Sequence, residues 1–432
     1  MGMKDSGIEW IGEIPNNWEI CRIKDKYKLI TGFTPDTTRD DFYDDDNGYT
    51  WISIADMTNS GKEVSKSSAG ISEKFIQSKH PEKTKVGSLL YSFKLSVGKV
   101  GFAKKDLYTN EAIASFQKND RVCLPYLYYA SFLIEKNANI NIYGAKILNQ
   151  DLINNSITII PPLKEQKLIA DFLDDKVGKI DDILTDLNKQ VEILEKYKKS
   201  LITEIVTNGL DPNIEKKDSG IDWIGAIPKK WKITKLKYHS IRIGDGIHGT
   251  PDYSEDGEYT FVNGGNFKGD KIVFFGNEGN ISEHEFKRWY ACVLNENTVM
   301  IALNGVNFGE VSYYNREKIL LGKSAGYITL NQDYLPRYVG YYMQGYSART
   351  IMYLSLNSTT IPNLSLSTLN NFDIPIMSVE EQIEIIDFLD KKCAQIDELI
   401  KDKKTQIEKM EGYKKSLIYE YVTGKKRVKG VE

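Results

Sequence analysis

The feature that most limits how this chain can fold is that it says the same thing twice. The segment "DSGIEWIGEIPNNWEI" at residues 5–20 returns as "DSGIDWIGAIPKKWKI" at 218–233, with Ile8, Trp10, Pro15 and Trp18 matched by Ile221, Trp223, Pro228 and Trp231 at a constant shift of 213 residues. A second match lies downstream. "EQKLIADFLDDKVGKIDDI" from Glu165 pairs with "EQIEIIDFLDKKCAQIDEL" from Glu381, and "YKKSLITEIVTNG" with "YKKSLIYEYVTGK", now at a shift of 216. The chain therefore carries two tandem copies of one unit of roughly 215 residues, far longer than a solenoid repeat. A chain of 432 residues also exceeds what one core organises, so each copy is expected to build its own.

Each copy has two parts. The first is rich in β-branched and aromatic residues broken by turn signals: "GYTWISIADM", "VGSLLYSF" and "GKVGFAKK" in copy one, "GEYTFVNGGNF" and "NTVMIALNGVNFGEVSYY" in copy two. This predicts a mixed, mainly β domain with some helix, as in "LPYLYYASFLIEKN" and "YLPRYVGYYMQGYSA". The second part is helical. Leu173, Val177, Ile180, Leu184, Leu187, Val191, Leu194, Lys198, Leu201 and Ile205 alternate steps of four and three, the coiled-coil heptad. Copy two keeps the register from Leu389 through Cys393, Ile396, Ile400, Lys403, Ile407, Met410, Lys414 and Leu417 to Tyr421. Lysines at Lys198 and Lys414 occupy seam positions, where they either snorkel off the seam toward the helix C-terminus or contact DNA or a partner. Pro161, Pro162 and Pro375 precede the helices, Ser378 with Glu381 suggests a capping box, and Gly209 and Gly424 stand at the ends.

The expected fold class is α+β: two mixed, mainly β domains separated by a pair of long antiparallel coiled-coil helices, with an internal pseudo-twofold duplication. The boundaries read as 1–160 for the first domain, 161–210 for the first helix, 211–373 for the second domain, 374–424 for the second helix, and 425–432 for a basic tail.

Several function classes lack their chemistry. There is no phosphate-cradling G-x-x-x-x-G-K-[ST], no G-x-G-x-x-G between strand and helix, and no Asn/Asp-Pro-Pro-aromatic motif for a flipped adenine. Asp40, Asp41, Asp44, Asp45 and Asp46 are the one acidic run, read as a solvated loop rather than a nuclease metal site. None of the four histidines pairs with another His or Cys at ligand spacing, so no metal site is expected. Four scattered cysteines, no signal peptide and no long apolar run point to a reducing cytoplasm. A net charge of -3 means that any nucleic-acid binding must come from local patches. One candidate runs from Lys79 to Lys105, where seven lysines meet a single acid, Glu82, with Tyr91, Phe93 and Phe102 interleaved. Such lysines suit phosphates, and they equally suit a protected sheet edge.

Where copy one has "FKLSVGKV", copy two has "LNGVNFGEV", so glycine and valine persist while Lys94 and Lys99 give way to Asn304 and Glu310. "LITGFTPDT" and "IRIGDGIHGTPDY" form a similar pair. A kept frame with changed tips is what two readers of different sequences would show.

Taken together, the doubled "DSGIxWIGxIPxxW", the Gly-x-Thr-Pro turn, "TWISIADM" at 50–57, "VGKVGFA" at 97–103, "TNEAIAS" after it and the "IPP-L-x-EQ" opening of a helix ending in "YKKSLI" resemble the specificity subunits of type I restriction-modification systems over essentially the full length. The resemblance implies two target recognition domains, each reading half of a bipartite double-stranded DNA site, and helices that set the gap. It implies docking of two methyltransferase subunits and recruitment of restriction (motor-nuclease) subunits. It implies no catalysis and no cofactor for this chain, S-adenosylmethionine, ATP and magnesium being used by those partners. The residues expected at the DNA are Thr31, Thr34, Lys94, Ser96 and Lys99 in the first domain, and His248, Thr250, Asn304 and Asn307 in the second. The competing readings are a two-headed stand-alone DNA-binding regulator, a coiled-coil adaptor between two protein motifs, and a metal enzyme using the acids at 40–46.

Overall fold

A computed structural model describes residues 2–94, 96–140, 144, 146–290, 292, 294–356 and 363–428. The chain divides into two compact units, Met1–Asp186 with Gln406–Glu432, and Leu187–Thr405. The divisions fall inside the two long helices, Leu163–Asn208 of 46 residues and Val379–Val422 of 44. At 1.5 Å per residue these helices run about 69 and 66 Å. Each unit therefore owns the first half of one helix and the last half of the other.

In the first unit a five-stranded sheet has the order Leu29–Thr31, Ile113–Phe116, Leu89–Ser92, Val100–Ala103, Glu63–Val64. A three-stranded sheet places Tyr49–Ile52 between Ala69–Ile71, antiparallel, and Tyr108–Thr109, parallel. Glu19–Arg22 pairs with Ile157–Ile160, which delivers the chain to the first long helix.

The second unit repeats this plan. Its four-stranded sheet runs Ser240–Asp245, Ala325–Leu330, Thr298–Ala302, Val311–Tyr313, and its three-stranded sheet centres on Tyr259–Val262, antiparallel to Asn280–Ile281 and parallel to Ile319–Leu321. Lys232–Lys235 pairs with Asp373–Ile376 before the second long helix. Every strand of the second unit's two sheets has its counterpart in the first; the extra strand Glu63–Val64 becomes a separate hairpin at Lys271–Ile272. The expected α+β class with internal duplication and helical heptads is what is found.

The helices are held by their seams. In the first unit Leu173, Val177, Ile180 and Leu417 are buried in one cluster with Trp18 and Tyr126. In the second, Ile202, Ile205, Leu389 and Cys393 pack with Trp231 and Tyr338. Two of the three seam lysines are explained by charge: Lys414 pairs with Asp181 at 2.5 Å in the first unit, and Lys198 with Asp397 at 2.7 Å in the second. Each lysine lies 216 residues from the other, as does each aspartate, so the pairs are one contact written twice between antiparallel helices. Ser378 caps the second helix by accepting the Glu381 amide at 3.2 Å. The Glu381 side chain does not return to close the box; it accepts the Trp231 indole N–H at 3.0 Å instead.

The doubled opening segment is a hairpin that sits on a helix end. Met3–Asp5 pairs with Glu13–Pro15, and Lys216–Asp218 with Ala226–Pro228. Gly424, at φ +72, lies so close to Pro15 that a Cβ would meet its ring at 2.4 Å. At Gly209, φ +75, a Cβ would stand in ordinary contact with the counterparts, 3.7 Å from Pro228 and 3.5 Å from Trp231. Each helix end thus carries one copy of the doubled segment.

Candidate nucleic-acid interface

Strand direction gathers the candidate residues. In the first unit Leu29–Thr31 and Leu89–Ser92 both run antiparallel to the strand between them, with Thr31 opposite Ala114 and Ser92 opposite Ile113. Both chains thus leave the sheet at the end where Asn110–Ala112 enters it. The turn with Thr31 and Thr34 and the hairpin with Lys94, Ser96 and Lys99 share that end. In the second unit Asp245 lies opposite Gly326 and Ala302 opposite Ala325, so His248, Thr250, Asn304 and Asn307 come together in the same way.

The frames beneath the two sets are alike to the hydrogen bond. Gly32 N–H donates to Ile113 O at 3.2 Å and Phe33 N–H to Thr109 O at 2.9 Å; Gly246 N–H donates to Ala325 O at 3.1 Å and Ile247 N–H to Leu321 O at 2.7 Å. A side chain at Gly32 or Gly246 would run into the carbonyl of Thr109 or Leu321, at 1.9 and 2.1 Å. Only glycine lets the turn pass so close to the neighbouring strand.

The tips differ. Lys94 and Lys99 are exposed and, among the described residues, in no ion pair. Their hairpin is closed by Ser92, whose hydroxyl donates to Ser96 O and accepts the Lys99 amide at 3.1 Å. The Thr34 hydroxyl donates to Glu111, and Thr31 and Thr34 line an open cleft of about 590 Å³ with Arg39, Lys79 and Glu82. His248 is exposed and its Nε2 meets Asp245 Oδ2 at 2.8 Å; Thr250 is exposed beside it. The Asn304 amide donates to Asn363 at 3.0 Å. Asn307 is turned inward, its amide donating to Gly265 O at 2.8 Å and Phe267 O at 3.2 Å, so it braces the loop.

Residues that composition did not single out hold these loops. Arg349 donates to Phe308 O at 2.7 Å, to Gly309 O at 3.3 Å and to Glu310 at 3.1 Å from behind the hairpin. Glu285 accepts the Asp252 amide at 3.1 Å and the Trp289 indole at 2.5 Å, and Trp289 lies against Gly249, where a Cβ would meet it at 2.6 Å. Lys323 is exposed on the segment entering the second sheet, at the place Glu111 holds in the first. Laying "TNEAIAS" against "LGKSAGY" would have found that charge reversal.

Two features of the basic stretch are used for structure. Tyr91 and Phe93 are buried in the core and Phe102 stacks on Tyr128 at 5.6 Å, so these aromatics offer no face to a base. Lys85 is paired with Asp106 at 2.9 Å and Lys104 with Glu63. The acidic run is likewise spent on its own loop: Asp41 is held well below the usual carboxylate range by Arg39 and then Lys74, Asp44 accepts the Asn47 amide at 2.9 Å, and Asp45 accepts that of Gly70 at 2.9 Å. Among the described residues no group of three or more His, Cys, Asp or Glu could hold a metal ion, and no helix is long and apolar enough to cross a membrane.

A family model described as the type I restriction modification DNA specificity domain matches twice, at residues 15–193 and 229–409. The type I restriction enzyme MjaVIII specificity subunit of Methanocaldococcus jannaschii is 26% identical over 433 residues, covering 97% of this chain and 95% of that protein. The MjaIX specificity subunit of the same organism is 24% identical over 374 residues, covering 84% and 83%. A solved chain from work on complex assembly and conformational transition of the type I R-M system superposes with a TM-score of 0.70 at 12% identity, covering 95% of this chain and 98% of that one, which speaks to the fold.

Proposed function

Because the chain belongs to the type I restriction modification DNA specificity family, we propose that it reads a bipartite duplex site, one half through each β-rich domain, with the paired long helices setting the gap. The observation that carries this is the matched pair of sheet ends: one hydrogen-bonded frame around Gly32 and Gly246, bearing different polar tips. Frame bonds fix where a loop meets the groove, and the exchanged side chains decide which base edges it can satisfy. Lysines 94 and 99 hold phosphate or guanine; Asn304 suits adenine, and His248 and Thr250 add donors and acceptors. Thr31, Thr34 and Ser96 line the first reader, while Asn307 acts by holding the second loop.

On this reading the chain performs no chemistry. It uses no cofactor; S-adenosylmethionine, ATP and magnesium belong to two methyltransferase subunits and the restriction subunits assembled on it in the cytoplasm. The chain's own net charge of -3 fits a protein that holds DNA within such an assembly.

Footprinting of the chain assembled with its methyltransferase tests this. Two protected patches separated by a stretch of fixed length are expected. One continuous patch, or none under conditions where the complex is intact, would remove the two-reader function and return the adaptor reading.

A further inference from the structure

Both units contain a polar cluster where the β-rich domain meets its long helix, and they build it from different parts. In the first unit Asp174 of the helix accepts the Tyr129 hydroxyl at 2.5 Å and pairs with Lys62. The Lys62 ammonium lies 5.0 and 5.6 Å from the Tyr128 and Tyr129 rings. In the second unit Asp390, which is Asp174 shifted by 216, accepts the Tyr341 hydroxyl at 2.5 Å and Arg337 Nη2 at 2.6 Å. The guanidinium carbon stands 5.5 and 5.9 Å from the Tyr313 and Tyr341 rings.

The cations come from unrelated places. Lys62 follows Gly61 and leads into the strand Glu63–Val64, whereas Arg337 opens the helix Pro336–Gln344. At the position of Lys62, after Gly269 and before Lys271–Ile272, the second copy has Asp270. Its carboxylate reaches Arg337 Nη1 at 3.8 Å. The same turn of each domain is thus tied to the same carboxylate of its helix, directly through Lys62 or through Arg337 as a bridge. A reversed charge at the turn has been matched by a cation supplied from another element, and the tie is kept. Among the described residues Arg337 Nε is buried without a hydrogen-bond partner, an unfavourable placement that the second cluster retains.

Apolar packing already holds each domain on its helix, so these ties are not needed for cohesion, and at roughly 40% side-chain exposure they are partly screened. What directional, charged hydrogen bonds add to an apolar contact is a fixed angle. We infer that the clusters at Asp174 and Asp390 are positioning joints that fix the angle of each domain on its spacer helix, and thereby the gap at which two half-sites are accepted. The second clause rests on the DNA-reading function proposed above.

The test uses the complete chain. Spin labels replace exposed Lys105 and Lys179, on the domain and the helix of the first unit, and their distance distribution is measured with and without Asp174→Asn. Tyr129→Phe, which deletes one hydroxyl, guards against a folding defect, and Lys62→Arg should restore the narrow distribution that Lys62→Met loses. In parallel, the chain assembled with its methyltransferase is given duplexes with the native gap and with one base pair added or removed. The joint predicts a broadened distribution and a loss of about tenfold in preference for the native gap, with half-site sequences and thermal unfolding unchanged. An unaltered width overturns the joint. A broadened width with intact gap preference overturns its role in spacing, as does an equal loss of rate on all three duplexes. A wild-type complex that methylates no bipartite site, with labels that still respond to Asp174→Asn, sinks the DNA reading and leaves the mechanical joint standing.

Discussion

Lys94 and Lys99 stand where the second copy has Asn304 and Glu310, and under the proposed function this exchange would make the two readers separately addressable. Lys94→Ala with Lys99→Ala is expected to weaken binding of the assembled complex through the first half-site alone. If both hold phosphates, the slope of log affinity against log salt should fall by about 1.8. Asn304→Ala should instead relax one base position of the second half-site by about 1–3 kcal/mol, as read by methylation of a substituted duplex series. Losses spread over both halves would contradict the assignment. Side-chain direction is where reading from sequence alone falls short. The density of lysines at 79–105 is visible in the sequence, but Tyr91, in the strand Leu89–Ser92, and Phe93, just past its end, are buried in the core, which no local pattern distinguishes from an exposed aromatic platform. Asn307 is a loop polar residue by sequence; only the tertiary contact with residues 265–267 shows it facing inward. Arg349 and Glu285 are ordinary charged helix residues until the loops they hold are seen.

The long helices were the most legible elements, because a heptad kept for more than four repeats in both copies has few alternatives. What the heptad could not supply was the partner of a lysine in the seam. Two ion pairs, Lys198 with Asp397 and Lys414 with Asp181, give that answer. Half-exposed pairs of this kind contribute about 0–1 kcal/mol each, so their value lies in fixing which residues face each other across antiparallel helices. If these helices are the ruler, lengthening both by one turn, about 5.4 Å each, in the stretch between Leu187 and Val191 and at its antiparallel counterpart should lengthen the recognised gap by one or two base pairs. Half-site sequences should not change. The gap preference is read from methylation of duplexes of graded spacing, and an unchanged preference would mean that something other than the helices sets it.

At the scale of the molecule, the duplication explains features that look accidental one at a time. The repeated opening segment, the glycine at each helix end, the Tyr126 and Tyr338 hydroxyls donating to Val422 O and Val206 O at 3.1 and 3.0 Å, and the frames around Gly32 and Gly246 are single solutions used twice. On the proposed function, two such copies make one reader of two half-sites. Methylome sequencing of cells expressing the chain with its methyltransferase partner tests it most directly. One new motif is expected, with two unlike halves, a fixed unread gap, and one methylated adenine in each half. New methylation at a single continuous motif, or none from a complex shown to assemble, would contradict it.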